Sequence, residues 1–269
     1  MKYFTVSILI YKDISGLERL LKSLVQQKEF IKVLIISNDS PNEIDIEYIK
    51  NISFEILDPS GIETHYCQNS QNIGVIKHFA KLVEKVETDF CFFTGCDDNI
   101  KPGFFKNAFD EFQVEDVNIV TPNQIRLDEN FKVIGKSNWD NNNLGELPDI
   151  IRSENFGVPS AGSCFRTSIF ERLKYQKNMI NEDDQVMLLG LLQGRRIISK
   201  KYLFEYRIVG SSLSSWLRQP FISENKLRDT LKREFDNRIS QNHGWIRSIE
   251  IYTSSLPQKK YLIEICLTN

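Results

Sequence analysis

The chain alternates short apolar runs with amphipathic stretches, a rhythm that predicts parallel strands joined by helices. Phe4-Thr5-Val6-Ser7-Ile8-Leu9-Ile10 is a nearly continuous apolar strand, the form expected where both faces of a sheet are covered. A helix is expected from about Ser15, with Leu17, Leu20, Leu21 and Leu24 at helical spacing. Ile31 to Ile36 is the next strand and runs into a turn-forming cluster, Ser37-Asn38-Asp39-Ser40-Pro41. A short strand pair is expected between Phe54 and Tyr66. A helix with Ile76, Phe79, Ala80, Val83 and Val86 on one face then delivers the chain to the strand Phe90-Cys91-Phe92-Phe93-Thr94. That strand stops abruptly at Gly95-Cys96-Asp97-Asp98, ahead of Lys101-Pro102-Gly103. The pattern implies an α/β sheet that is mostly parallel, in which ligands bind beyond the carboxyl ends of the strands. Asp39 and Asp97 both fall there.

The second half is less regular. Val117 to Val120 reads as a strand, and 138–148 as a polar, mobile loop. Small residues from Ser160 lead into a strand ending near Arg166, with a helix at about Ser168 to Leu173. Gln185 to Leu192 is apolar almost all round, as in a buried helix, and Gly194 is placed to end it. Ile197-Ile198 and Tyr202 to Tyr206 read as two short strands, and Ser223 to Ile239 as a helix of mixed charge. This divides the chain into a principal domain at 1–215 and a helical extension at 216–269 that packs on it.

Composition narrows the function. Across 269 residues, 34 Lys and Arg stand against 36 Asp and Glu, for a net charge of −2. That argues against a nucleic-acid binder with a dominant basic surface. The five cysteines are odd in number and lack C-x-x-C spacing, so reduced thiols are expected and a zinc site is not. No apolar run approaches a membrane span. The run Phe4 to Tyr11 meets Lys12 and Asp13 too early for a secretory signal, which makes a cytoplasmic protein the expectation.

Three acidic points carry candidate chemistry. Asp97 and Asp98, at the mouth of an apolar strand, suit a hard divalent cation that keeps open positions for phosphate oxygens, although a solvated loop accepts the same residues. Asp39 suits a nucleoside contact or an Asx-turn onto its own backbone. Glu182-Asp183-Asp184 precedes the buried helix, where it can supply a general base or, with Asn181 as cap, ordinary helix-start chemistry. Arg207 pairs either with phosphate or with a neighbouring carboxylate. Ser163, Arg166 and Trp139 lie in segments that could face an acceptor, Trp139 as a lid residue or an ordinary partly exposed ring.

Taken in this order, the segments resemble the family 2 glycosyltransferases of the GT-A fold over roughly Phe4 to Ser215. Val6 to Lys12, Leu20 to Leu24 and Gln27 are similar to the family's first strand and helix, without the usual Pro and Asn around Tyr11. Ser37 to Pro41 looks like the acidic turn that contacts nucleobase and ribose, and Asn72-Ile73-Gly74 like the N-x-G that opens the following helix. Thr94 to Pro102 is similar to the D-x-D region, Glu182-Asp183 to the acidic pair that supplies a base, and Tyr206 to Ser214 to the segment closing the site. Two departures stand out: Gly95 takes the place of the first Asp of the D-x-D, and Val209 that of a His.

The resemblance implies a Rossmann-like mixed sheet flanked by helices and a metal-dependent, inverting transfer of sugar. The donor would be a nucleotide sugar and the acceptor a hydroxyl of a glycan or lipid-linked oligosaccharide, in bacterial surface polysaccharide assembly. It assigns Mn2+ or Mg2+ to Asp97 with Asp98 in support, and the donor to Tyr11, Asn38, Asp39, Asn72, Gly74, Asp97 and Arg207. Asp183 is the expected base, with Glu182 and Asp184 as substitutes. Two alternatives stay open. A sugar nucleotidyltransferase would need a Gly-rich basic loop where Tyr11 to Ser15 stands. A non-catalytic module binding nucleotide sugar or glycan would account for Gly95 and Val209. The helix with Lys226, Arg228, Lys232, Arg233 and Arg238 suits peripheral contact with the inner face of a membrane. Interspersed Asp229, Glu234 and Asp236 suit a solvated face or a contact between copies in a homo-oligomer.

Overall fold

The first strand is the axis of the molecule. β1 (Phe4–Ile10) is buried along nearly its whole length because parallel neighbours cover both of its edges and helices cover its faces. The computed structural model describes residues 3–141, 160–172, 186–187, 190–191 and 193–208. From β1 the chain runs through α1 (Leu17–Val25) to β2 (Ile31–Asn38), parallel to β1. It continues through α2 (Ile46–Leu57) to β3 (Glu63–Gln68), parallel to β2. α3 (Val75–Val83) then carries it back across to β4 (Phe90–Gly95), which lies parallel on the other side of β1. The order β3-β2-β1-β4 therefore reverses its direction of growth at β1. Such a reversal opens a crevice at the carboxyl ends of the two central strands.

The expected strand pair between Phe54 and Tyr66 is corrected. Phe54 lies in α2, and only Glu63–Gln68 is strand. The isoleucines of this stretch suggest a strand by propensity. Their spacing nonetheless puts Ile49, Ser53 and Leu57 on one buried face, and Asp45 caps the helix by accepting from the Glu47 amide at 3.1 Å.

Among the described residues, the second half completes a nine-stranded sheet in the order β3-β2-β1-β4-β8-β6-β9-β5, with β7 paired to β6. β5 is Asn99–Ile100, followed by α4 (Phe104–Phe112), β6 (Val117–Leu127) and β7 (Val133–Lys136). β8 is Cys164–Arg166, a 3-10 turn follows at Thr167–Arg172, and β9 is Arg195–Arg207. β6 and β9 are parallel, whereas β8 runs antiparallel to both β4 and β6. The two short strands expected after residue 197 are thus one long strand, interrupted in pattern only by the exposed Lys200 and Lys201. β6 also outruns its expected end at Val120. Pro122 reads as a breaker, but the sheet absorbs it where the β6–β9 register shifts. The helix expected at Gln185 to Leu192 agrees with the residues described there, and Val186 and Met187 are buried. The boundary at 215 and the extension beyond it lie outside the described residues. Among those described, no helix is long and apolar enough to cross a membrane, and Cys67, Cys91, Cys96 and Cys164 are free thiols.

Two contacts fix α4 beneath the acidic turn. Aromatic rings pack it onto the sheet, with Phe90 stacked on Phe112 at 4.5 Å and Phe92 against Phe104 at 4.8 Å. Gln27, buried at the end of α1, donates to the Lys101 carbonyl at 3.1 Å and accepts from the Phe105 amide at 3.2 Å. It thereby satisfies an amide in the first turn of α4 that has no partner within the helix. Gln27→Ala leaves the Phe105 amide without its acceptor, while the Lys101 carbonyl keeps the Phe104 amide at 3.1 Å. Chemical denaturation should show a loss of about 1–3 kcal/mol.

Candidate functional site

The carboxyl ends of β2, β1 and β4 meet in one place. Leu9 lies level with Ser37 on one side and Gly95 on the other. The chain leaving β1 is therefore threaded between the turn after β2 and the turn after β4. The Asp39 amide donates to the Ile10 carbonyl at 3.0 Å, and the Lys12 amide to Ser40 Oγ at 2.9 Å. Lys12 adopts a left-handed conformation with φ of 62°, and neighbouring Tyr11 is 52% exposed, its ring 5.1 Å from the Lys12 ammonium.

On the β2 side, Asn38 and Asp39 divide the work. Asn38 is fully buried. Its Nδ2 donates to the Ile44 carbonyl at 2.7 Å and to Gln68 Oε1 at 2.9 Å, and its Oδ1 accepts from the Ser40 amide at 2.9 Å. The Asx-turn considered for Asp39 is thus made by its neighbour. Asp39 reaches instead across to the start of α3. Its Oδ1 accepts from Asn69 Nδ2 and the Ile73 amide, each at 2.9 Å, and its Oδ2 accepts from the Gly74 amide at 3.1 Å. Gly74 has φ of 82°, which a side chain would strain, and its amide also donates to Asn72 Oδ1 at 2.8 Å. The N-x-G segment and Asp39 are one unit: a carboxylate at the positive end of a helix, held by backbone amides. Beside it, His78 shares a hydrogen bond of 2.7 Å with Ser37 Oγ, and burial lowers its pKa despite the nearby Asp39.

On the β4 side, the two adjacent carboxylates separate. Asp98 is buried and accepts the Arg207 amide at 3.1 Å. Burial, and then Asp97, hold its pKa well above the ordinary carboxylate value against the pull of that amide, Arg19 and Arg207. Asp97 remains partly exposed, and its pKa is raised by burial and by the charge of Asp13, with Arg207 opposing. Its carboxylate folds back beside Gly95, where a Cβ would collide with Asp97 Oδ1. The missing first Asp of the D-x-D is therefore matched by the position of the remaining one. Gly16, the residue before α1, is the more firmly constrained, because a Cβ there would strike the Cys96 carbonyl, which is backbone, whereas at Gly95 the obstacle is a side-chain tip. The Cys96 thiol in turn donates to the Asp13 carbonyl at 2.7 Å.

Arg207 closes this corner. Its Nη1 donates to Asp13 Oδ2 at 3.2 Å and to Ser15 Oγ at 2.8 Å. Its Nη2 and Nε both donate to the Glu129 carbonyl, at 2.8 and 3.2 Å. Its carboxylate partner is Asp13. For Asp13, burial raises the pKa but is outweighed by the Ser15 hydrogen bonds and Arg207, leaving it lowered overall. Asp13 and Glu205 escaped the sequence reading. Asp13 reads as a solvated charge beside Lys12, and its place directly after β1 is the signal that could have marked it. Glu205 binds Arg19, Lys101 Nζ at 3.5 Å and Asn99 Nδ2 at 2.9 Å, bringing β9 to the strand that follows the acidic turn.

Other candidates do not converge here. Arg166 pairs with Phe90 at the amino end of β4, because β8 is antiparallel, and donates to the Val117 and Phe112 carbonyls. The Ser163 hydroxyl is taken by Thr121 at 2.6 Å. The Trp139 main chain is gripped on both sides by Asn123, each bond 2.8 Å, which is a fixed point rather than a hinge. Glu182, Asp183, Asp184 and Val209 lie outside the described residues. Among the described residues, no three His, Cys, Asp or Glu side chains form a cation cage. What the turn does offer is a partly exposed, destabilised carboxylate at Asp97 with Asp13 near it. That is an oxygen donor suited to a hard cation whose other ligands come from phosphate and water.

The family model described as glycosyl transferase family 2 matches residues 5–174. No curated protein matches the chain. Among solved structures, S. aureus TarS 1-349 is similar, with a TM-score of 0.58 at 16% identity, covering 77% of this chain and 60% of that one. The same TarS segment in complex with UDP-GlcNAc gives 0.57 at 17% identity, covering 77% and 59%. In complex with UDP it gives 0.58 at 16%, covering 81% and 63%. The chain spans about three fifths of the length of these TarS structures, and at such identity the likeness is one of fold. That fold is GT-A, and with the family model matching well over half its length, the chain belongs to glycosyl transferase family 2.

Proposed function

We propose that the chain is an inverting glycosyltransferase that moves a sugar from a nucleoside diphosphate sugar to an acceptor hydroxyl. The observation that carries this reading is the meeting of the Asp39 and Asn72–Gly74 unit with the Asp97 turn across the loop after β1. Family membership supports it, as do TarS neighbours solved with UDP-GlcNAc and UDP. The nucleoside would lie toward Tyr11 and Asp39, whose exposed ring and buried carboxylate frame the β1–β2 edge. Asn38, Asn72 and Gly74 shape that edge. The diphosphate would lie toward Asp97. Mn2+ or Mg2+ held there by Asp97 would stabilise the negative charge that gathers on the leaving diphosphate. Asp98 supports the turn from within, and Arg207 acts on the donor side through Asp13 and the turn.

In the transfer, the bond between the anomeric carbon and the diphosphate oxygen breaks while the acceptor oxygen bonds to the opposite face. Asp183 takes the acceptor hydroxyl proton, with Glu182 as its substitute. A glycan or lipid-linked oligosaccharide acceptor in bacterial surface polysaccharide assembly, at the inner face of the membrane, completes the proposal. A sugar nucleotidyltransferase fits less well, because the loop after β1 is tied to Ser40 and Glu43 and lacks the glycines that cradle a triphosphate.

A panel of nucleotide sugars that includes UDP-GlcNAc, followed by thermal shift with and without Mn2+, tests the donor class. One class should raise the melting temperature with increasing concentration. Asp183→Asn should keep that shift and lose at least about 100-fold in turnover. Turnover within a few-fold of the parent would remove Asp183 as the base.

Asp97 gives a second test with opposite signs for stability and activity. Because its folded pKa lies above its unfolded value, the unfolded chain releases its proton first as pH rises. Between the two values stability therefore falls with pH, and above both the full penalty remains. At neutral pH in chelator, Asp97→Asn should melt higher than the parent while losing both turnover and the cation-dependent shift. A variant that melts lower and still binds nucleotide with Mn2+ would contradict the role.

A further inference from the structure

The hairpin joining β6 to β7 carries a residue that its own turn does not favour. Asp128 organises the turn: its Oδ1 accepts from the Asn130 and Lys132 amides, both at 2.9 Å, and its carbonyl accepts the Phe131 amide at 3.0 Å. Phe131 follows with φ of 62°, in the left-handed region. A hairpin that ends its turn this way ordinarily places Gly or Asn there, since a bulky side chain is strained at positive φ. Such an outlier in a polar corner points toward function.

The ring itself explains why Phe is kept. Two guanidinium groups pack over it, that of Arg19 at 4.9 Å from the ring centroid and that of Arg207 at 4.4 Å. Both arginines are otherwise engaged with acids: Arg19 with Glu205, and Arg207 with Asp13. The same hairpin offers the Glu129 carbonyl to two guanidinium nitrogens of Arg207. Ring and carbonyl thus fix the Arg207 plane from two directions. That plane orients the Asp13 carboxylate, and the Arg207 amide holds Asp98.

We propose that Phe131 is a positioning residue: packed against both Arg19 and Arg207, it holds Arg207 in place and, through it, the Asp97–Asp98 turn and the Asp13 loop. Cations over an aromatic face are attracted to it in addition to packing against it. The consequence for turnover rests on the transferase reading above, whereas the clamp itself does not.

Two readouts on the full chain test this. Phe131→Gly removes the ring and relieves the backbone at once, so the variant should fold and melt within a few degrees of the parent. Its kcat should fall by about tenfold. Phe131→Tyr, which keeps the ring face, should restore kcat to within about twofold of the parent. The second readout needs no activity. Hydrogen exchange at the Arg207 amide, which Asp98 protects, should speed by about tenfold in Phe131→Gly, while β1 amides stay unchanged. Parental kcat in the Gly variant, equal loss in the Tyr variant, or unchanged protection of the Arg207 amide would each overturn the proposal. If the parent transfers no sugar at all but the exchange result holds, the transferase reading fails and the clamp stands.

Discussion

Asp98 is a carboxylate at the end of a central strand with almost no access to water, and that burden shapes its surroundings. Burying an ionised carboxylate costs several kcal/mol unless donors and counter-charges replace its hydration. Here the replacement comes from the Arg207 amide, with Arg207 and Arg19 as the charges that oppose the burial. Because that amide sits at the last residue of β9, the strand must run its full length beside β6 to deliver it. The guanidinium of the same residue then reaches Asp13 in the loop after β1 and the Glu129 carbonyl in the β6–β7 hairpin. One buried carboxyl group thereby ties together the ends of four segments.

The commitment of Asp98 inward leaves Asp97 as the accessible partner. Two glycines make that division possible. Gly95 yields the space that the Asp97 carboxylate fills, and Gly16 lets the start of α1 press on the Cys96 carbonyl. Across the crevice, Asp39 is a carboxylate of the other kind, satisfied by the amides that open α3 and by Asn69. The candidate site is built from three acids in three states: Asp39 satisfied by the amides that open α3, Asp98 buried against arginine, and Asp97 partly exposed, with Asp13 and Arg207 acting on it in opposite senses.

Much of this was legible in the sequence because the first half obeys simple periodicities. The apolar runs of β1, β2 and β4 are uninterrupted, and the strand ends are marked by Asn38-Asp39 and Gly95 to Asp98, so both edges of the crevice could be located. What escaped has identifiable causes. α2 was hidden by isoleucines that favour strands, and the length of β6 by Pro122, which only a register shift can accommodate. The two-lysine interruption split β9 in the pattern but not in the sheet. Asp13, Glu205 and Phe131 carry no motif. Their importance comes from contacts such as Arg207 to Asp13, about two hundred residues apart, which no local pattern encodes. Arg166 failed as a candidate for a topological reason: the antiparallel course of β8 takes it to the wrong end of β4.

We propose that Asp97, and not Asp98, is the carboxylate that meets a cation and the donor diphosphate. Anomalous scattering at the manganese edge, from crystals of the full chain grown with Mn2+ and UDP, tests it directly. The account predicts one peak beside the Asp97 carboxylate, shared with diphosphate oxygens, while Asp98 keeps the Arg207 amide. A peak coordinated by Asp98, or bound diphosphate with no peak near Asp97, would contradict it.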